Sequence, residues 1–127
     1  MKSSLNILYV GNNDQYTEKL QQQALLSLTI VNNNLAAVNY LNKNNQPDAI
    51  LCNYNLPGQN GLFLYDWIRE RAIYNTIPFV LLANEFNSDL FKSAFTKRVD
   101  DFYIIPNTLP EDLISRIEFL HNYKKYN

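Results

Sequence analysis

Two asparagines, Asn53 and Asn55, stand where the chain most clearly prepares for chemistry. They belong to the stretch Pro47-Asp48-Ala49-Ile50-Leu51-Cys52-Asn53-Tyr54-Asn55-Leu56-Pro57-Gly58-Gln59-Asn60-Gly61. Ala49 to Cys52 is a short apolar run bounded by turn residues, the mark of a strand buried on both faces. A buried strand that stops at polar side chains and a Pro/Gly loop is where an open α/β sheet places its site. A carboxamide in that position hydrogen-bonds in both directions, but it is a poor nucleophile and carries no charge. Other candidates lead to no chemistry. Cys52 lies inside the buried run and reads as an inert core thiol. His121 has no nucleophile or metal-ligand pattern around it and reads as a residue of a helix end. Gly11 to Thr17 lacks the hydroxyl-rich pattern of a flavin phosphate loop, and Asn60-Gly61 is a turn signature.

The elements that must position these residues alternate regularly. Leu5–Val10 is a β-rich run broken by Gly11-Asn12-Asn13. From Asp14 the pattern turns helical through Tyr16, Leu20 and Ala24, with Asp14 or Asn13 as cap. Leu28 to Val31 is a second short strand, and Asn32 to Asn34 caps a helix carrying Leu35, Ala36, Val38 and Leu41. The third strand is Ala49 to Asn53. Leu62 to Ala72 is helical through Leu64, Trp67 and Ile68. Pro78 to Ala83 is a fourth strand, headed by a proline where proline is tolerated. Asn87 or Ser88 caps a helix in which Leu90, Phe91, Ala94 and Phe95 share a face. Asp101 to Ile105 is the fifth strand, stopped by Pro106. Pro110 opens a last helix, with Glu111 and Asp112 complementing its dipole, that runs to about Tyr123. Continuously apolar strands alternating with helices predict a doubly wound α/β fold: a five-stranded parallel sheet in the flavodoxin-like order 2-1-3-4-5, with five helices.

In wording and spacing the central stretch resembles the third strand and following loop of response-regulator receiver domains, and the resemblance extends over essentially the whole chain. It implies a phosphorylation site at the carboxyl ends of the strands. Members carry an acidic pair after the first strand; Gly11 and Asn12 stand there. The phospho-accepting aspartate is replaced by Asn53, the strand-four hydroxyl by Ala83, and the strand-five lysine by Ile105. Pro57, Gly58, Gly61, Asp100-Asp101 and Phe102, at the position of the switch aromatic, keep the scaffold. An acyl phosphate needs a carboxylate nucleophile and a divalent cation to neutralise the transferring group. Mg²⁺ takes hard oxygens, typically one or two of them carboxylates. The sequence therefore resembles a degenerate pseudo-receiver: no cofactor, no Mg²⁺ binding, and no enzymatic activity are expected. Asp14 reads as a helix cap and Asp48 falls at the opposite end of its strand, so neither replaces the lost acceptor. A phosphorylatable regulator served by a histidine kinase is the competing reading.

Composition narrows the partners. The formal net charge of −1 and the short basic ending Lys124-Lys125 give no basis for nucleic-acid binding. No stretch approaches the ~20 apolar residues of a membrane span, and no secretory pattern opens the sequence, so a cytoplasmic place is expected. A length of 127 residues suits a single domain, 1–127, with no room for an output domain. Its asparagine pairs look like loop filling. Function would then pass through another signalling protein or a self-dimer. The resemblance suggests the face of the fourth helix, fifth strand and fifth helix. On the last helix, Leu113, Ile114, Ile117 and Leu120 form the core stripe, whereas Phe119, Tyr123 and Tyr126 recur beside Arg116 on another side, as a candidate interface.

Overall fold

The computed structural model describes residues 5–23, 26–43 and 46–125. In chain order these form β1 (Leu5–Val10), α1 (Gln15–Gln21), β2 (Leu26–Val31), α2 (Asn34–Lys43), β3 (Ala49–Asn53), α3 (Gly61–Arg69), β4 (Phe79–Ala83), α4 (Ser88–Lys97), β5 (Asp101–Ile104) and α5 (Pro110–Lys125). A short 3₁₀ turn, Ile105–Asn107, joins β5 to α5. The strands pair in parallel in the order β2-β1-β3-β4-β5. This is the predicted flavodoxin-like arrangement.

Alternation along each strand feeds two cores. Leu8, Val10, Ile50, Cys52, Phe79 and Leu81 pack under α2, α3 and α4, against residues such as Leu41, Leu64, Ile68 and Leu90. Ile7, Tyr9, Leu51, Val80 and Leu82 pack under α1 and α5, against Leu20, Leu113, Ile117 and Leu120. Strands β3 and β4 are buried on both faces except at Asn53, which is why they read as unbroken apolar runs.

Capping follows local chemistry. Asp14 starts α1: its Oδ1 accepts from the Tyr16 and Thr17 amides at 3.0 and 3.1 Å, while Thr17 Oγ1 accepts from the Asp14 amide at 2.8 Å. Asn60 and Asn87 cap α3 and α4 through Leu62 N–H and Leu90 N–H.

Several boundaries differ from expectation. Strand β2 begins at Leu26 because β1 templates it along its full length, from the Leu5–Leu26 pair to the Val10–Val31 pair. Ala24 lies outside the described residues. Strand β5 ends at Ile104, one residue early, because the 3₁₀ turn takes Ile105 and Pro106 out of the ladder. Helix α3 ends at Arg69 and α5 continues to Lys125. The largest difference lies on α4. Leu90 and Ala94 are buried, but Phe91 and Phe95 are 47% and 77% exposed. Adjacent positions on a helix are about 100° apart, so only one of the two apolar stripes faces the sheet.

Candidate functional site

The carboxyl ends of the strands open into a cleft of about 500 Å³. Gly11, Asn12, Asn53 and Ile105 all line it, so three separate stretches of the chain meet there. Ala83 does not line the cleft. It is buried in the core under α2 to α4, and its neighbour Asn84 is the residue that reaches the cleft wall. Phe102 is also on that side of the sheet, its ring 6.1 Å from Phe91 of α4.

The floor of the cleft is built on three residues: Gly11 and Asn53 line it, and Tyr9 is fully buried beside them. Ladder pairing between β1 and β3 ends at Val10 and Cys52, which leaves Gly11 beside Asn53. The Asn53 carboxamide folds back over Gly11, and its Nδ2 donates to the Tyr9 hydroxyl at 3.0 Å. A Cβ built on Gly11 would collide with Nδ2 of Asn53 and lie 3.0 Å from the Tyr9 ring. Gly11 is thus the space that the carboxamide occupies. Gly61 serves the same loop from the other side: a Cβ there would collide with the Asn53 carbonyl oxygen and sit 2.9 Å from Cys52 Sγ. Tyr9 escaped the sequence reading because a tyrosine within Ile-Leu-Tyr-Val looks like ordinary core. The only signal was a hydrogen-bonding aromatic two residues before a glycine.

Burial governs the ionisable groups around this floor. Desolvation, only partly offset by the Asn53 hydrogen bond, pushes the Tyr9 hydroxyl up to about 12. Burial raises Tyr16 as well, and its hydroxyl donates to the Thr108 carbonyl at 3.2 Å. Complete burial holds the Cys52 thiol far above its ordinary range, in keeping with an inert core residue. Because Tyr9 keeps its proton in the folded state after an unfolded tyrosine has lost it, its contribution is full below pH 10 and is lost between 10 and about 12. Tyr9→Phe should flatten that alkaline fall in denaturant-unfolding stability. It should also cost about 1 kcal/mol at neutral pH through the lost Asn53 bond. An unchanged alkaline limb would place the Tyr9 hydroxyl in water.

Asp14, Asp48, Asp100 and Asp101 each have structural work. Asp14 reaches the cleft but caps α1. Asp48 sits at the other end of the sheet, where its Oδ2 accepts from the Asn6 amide at 2.8 Å and Oδ1 faces His121 Nε2 at 3.8 Å. Asp100 Oδ2 accepts from the Phe79 amide at 2.7 Å and from Arg69 at 3.0 Å, and its Oδ1 pairs with Lys124 at 3.0 Å. Asp101 Oδ2 holds Arg116 Nε at 2.7 Å and accepts from Tyr103 at 3.0 Å, and its charge helps burial push the Tyr103 hydroxyl up to about 12. Asn34, on α2, ties the loop after β3 in place by donating to the Asn60 carbonyl at 2.9 Å, and leaves its own Oδ1 buried without a partner.

With strand order, loops and cleft in view, the comparison with known proteins is direct. Residues 11–118 match the family model of the response regulator receiver domain. The chain belongs to that family. Among curated proteins, this receiver domain is 34% identical over 71 residues to the nitrate/nitrite response regulator protein NarL of Escherichia coli, a match covering 56% of this chain and 32% of NarL. It therefore spans about a third of that relative's length. Among solved structures, it resembles a response regulator from Chloroflexus aurantiacus (22% identity, 94% of this chain, 99% of that one, TM-score 0.83). It also resembles the receiver domain of a histidine kinase from Syntrophus aciditrophicus (22%, 94% and 91%, TM-score 0.81). Chemotaxis response regulator CheY4 of Vibrio cholerae is similar over 93% of this chain and 99% of its own, with 16% identity and a TM-score of 0.78. At such identities the likeness is one of fold. No helix among the described residues is long and apolar enough to cross a membrane.

Proposed function

We propose that this receiver domain is a pseudo-receiver that takes no phosphate and acts as a protein-interaction module. The observation that carries this reading is the Asn53 carboxamide lying over Gly11 and bonded to Tyr9. A neutral, tied-down amide occupies the place of a nucleophile, and Ile105, in the place of the family's lysine, brings no charge to the cleft. The fit to Mg²⁺ is poor for the same reason. Gly11, Asn12 and Asn53 supply no carboxylate, Asp14 is engaged by α1, and no group of three or more His, Cys, Asp or Glu is placed to hold a metal among the described residues. Incubating the protein with acetyl phosphate and Mg²⁺ should leave its intact mass unchanged, and Asn53→Asp alone should give the same blank. A stable gain of one phosphoryl group on a cleft residue would refute the reading.

The surface proposed for the work is the face of α4, β5 and α5. Phe91 and Phe95 are exposed on α4, and Phe119 and Tyr123 are 55% and 56% exposed on α5. The Phe119 and Tyr123 rings stack at 6.1 Å, and the Arg116 guanidinium lies 5.1 Å from the Phe119 ring while its Nε is held by Asp101. Arginine and aromatics that are already ordered lose little freedom on docking, and they are the types that dominate interface energetics. Leu113, Ile114, Ile117 and Leu120 are buried, so this row lies off the core stripe; Tyr126 lies outside the described residues. The double variant Phe119→Ala, Tyr123→Ala should weaken self-association or partner capture about thirtyfold while the unfolding midpoint stays nearly constant. Sedimentation and pull-down assays that show no change would place the working surface elsewhere, and failure to fold would make both residues core.

A further inference from the structure

The cleft at the carboxyl edge of the sheet is equipped for hydrogen bonding without charge. Its volume of about 500 Å³ falls within the range of small-molecule sites. Three of its carboxamides, Asn12 after β1, Asn55 after β3 and Asn84 after β4, line it from separate loops and are exposed to solvent. None of the three side chains hydrogen-bonds to another described residue. Each offers two donors and two acceptor lone pairs. Among the described residues no lysine or arginine lines the cleft, and the one carboxylate there, Asp14, is held by two amides of α1. An anion would find no cation there, and a cation would have to compete with the first turn of α1. Tyr54, Leu56 and Ile105, all half-buried, add apolar wall.

We infer that this cleft binds an uncharged small molecule with an amide-type edge, donor beside acceptor, on a largely planar or apolar body, such as a nucleobase or a heterocyclic carboxamide. A carboxamide meets such an edge through two parallel hydrogen bonds, as asparagine does with adenine. A polyol would satisfy the asparagines but leave the wall of Tyr54, Leu56 and Ile105 without an apolar partner. The inference rests on the reading that the cleft is not a phosphorylation site, and it assigns a different occupant to the same space.

The test is a titration of the ¹⁵N-labelled protein with adenosine and with nicotinamide, following the side-chain amides of Asn12, Asn55 and Asn84. Glucose and acetyl phosphate with Mg²⁺ serve as the polyol and anionic arms. Saturable shifts of those amides with adenosine or nicotinamide, and none with the other two, are expected. Asn55→Ala and Asn84→Ala should each weaken the affinity about fivefold, with backbone spectra showing that both variants remain folded. The inference fails if neither neutral heterocycle gives a saturable shift, if glucose shifts the same amides as strongly, or if both variants bind unchanged. A phosphoryl gain in the mass experiment would refute the underlying reading, whereas absent heterocycle binding without a mass gain would refute this inference alone.

Discussion

Replacing Gly11 with aspartate is expected to destabilise the domain by about 3 kcal/mol or more. Two costs add. The Cβ alone collides with Nδ2 of Asn53, so the carboxamide must leave the Tyr9 hydroxyl or the backbone of β1 and β3 must spread. A carboxylate then enters a cleft lined by no cation among the described residues. Gly11→Ala isolates the first cost and should account for about 1–3 kcal/mol of the total. Removing the obstruction should recover part of it: in a Gly11→Ala, Asn53→Ala cycle, the double variant should be more stable than the sum of the singles predicts, by about 0.5–3 kcal/mol. Strict additivity in urea unfolding would mean that the two positions do not share space, and would remove the argument for Gly11 as the housing of Asn53.

Asp100→Ala is expected to be nearly as damaging, at about 2–4 kcal/mol. Its side chain is 14% exposed and serves three elements at once. One oxygen accepts from the Phe79 amide at the start of β4 and from Arg69 at the end of α3; the other meets Lys124 near the end of α5. Alanine would leave the Phe79 N–H unpaired and two cations without their partner, and an unmade bond costs more than a made one contributes. Asp100→Asn should lose less, because a carboxamide oxygen still accepts from Phe79. If the two variants unfold at the same denaturant concentration, the charge rather than the backbone hydrogen bond carries the effect. If both match the wild type, Asp100 is a surface residue in practice.

Much of the fold was legible in the amino-acid pattern. The strands, their parallel pairing and the order 2-1-3-4-5 followed from apolar runs alternating with helical periodicity, because strands covered on both faces must be apolar throughout and their crossovers must be right-handed. The position of the cleft followed from the same rule, and so did the burial of Leu113, Ile117 and Leu120 on α5. Local signals also narrowed the caps to Asp14 or Asn13 and to Asn87 or Ser88, of which the structure uses Asp14 and Asn87, since a capping bond reaches only two or three residues along the chain.

Whatever depended on contacts between distant segments was decided only by the tertiary structure. Tyr9 and Asn53 are 44 residues apart, and nothing in either neighbourhood announces that one will hold the other above Gly11. Ala83 and Asn84 are adjacent, yet only Asn84 meets the cleft, because the direction a strand-end residue faces depends on where the ladder stops. Phe91 and Phe95 read as sharing one face with Leu90 and Ala94, since periodicity reports an apolar face but not how wide a partner awaits it. Leu90 and Ala94 of α4 are buried in the core, while Phe91 and Phe95 stay largely in solvent, the Phe91 ring 6.1 Å from Phe102 of β5.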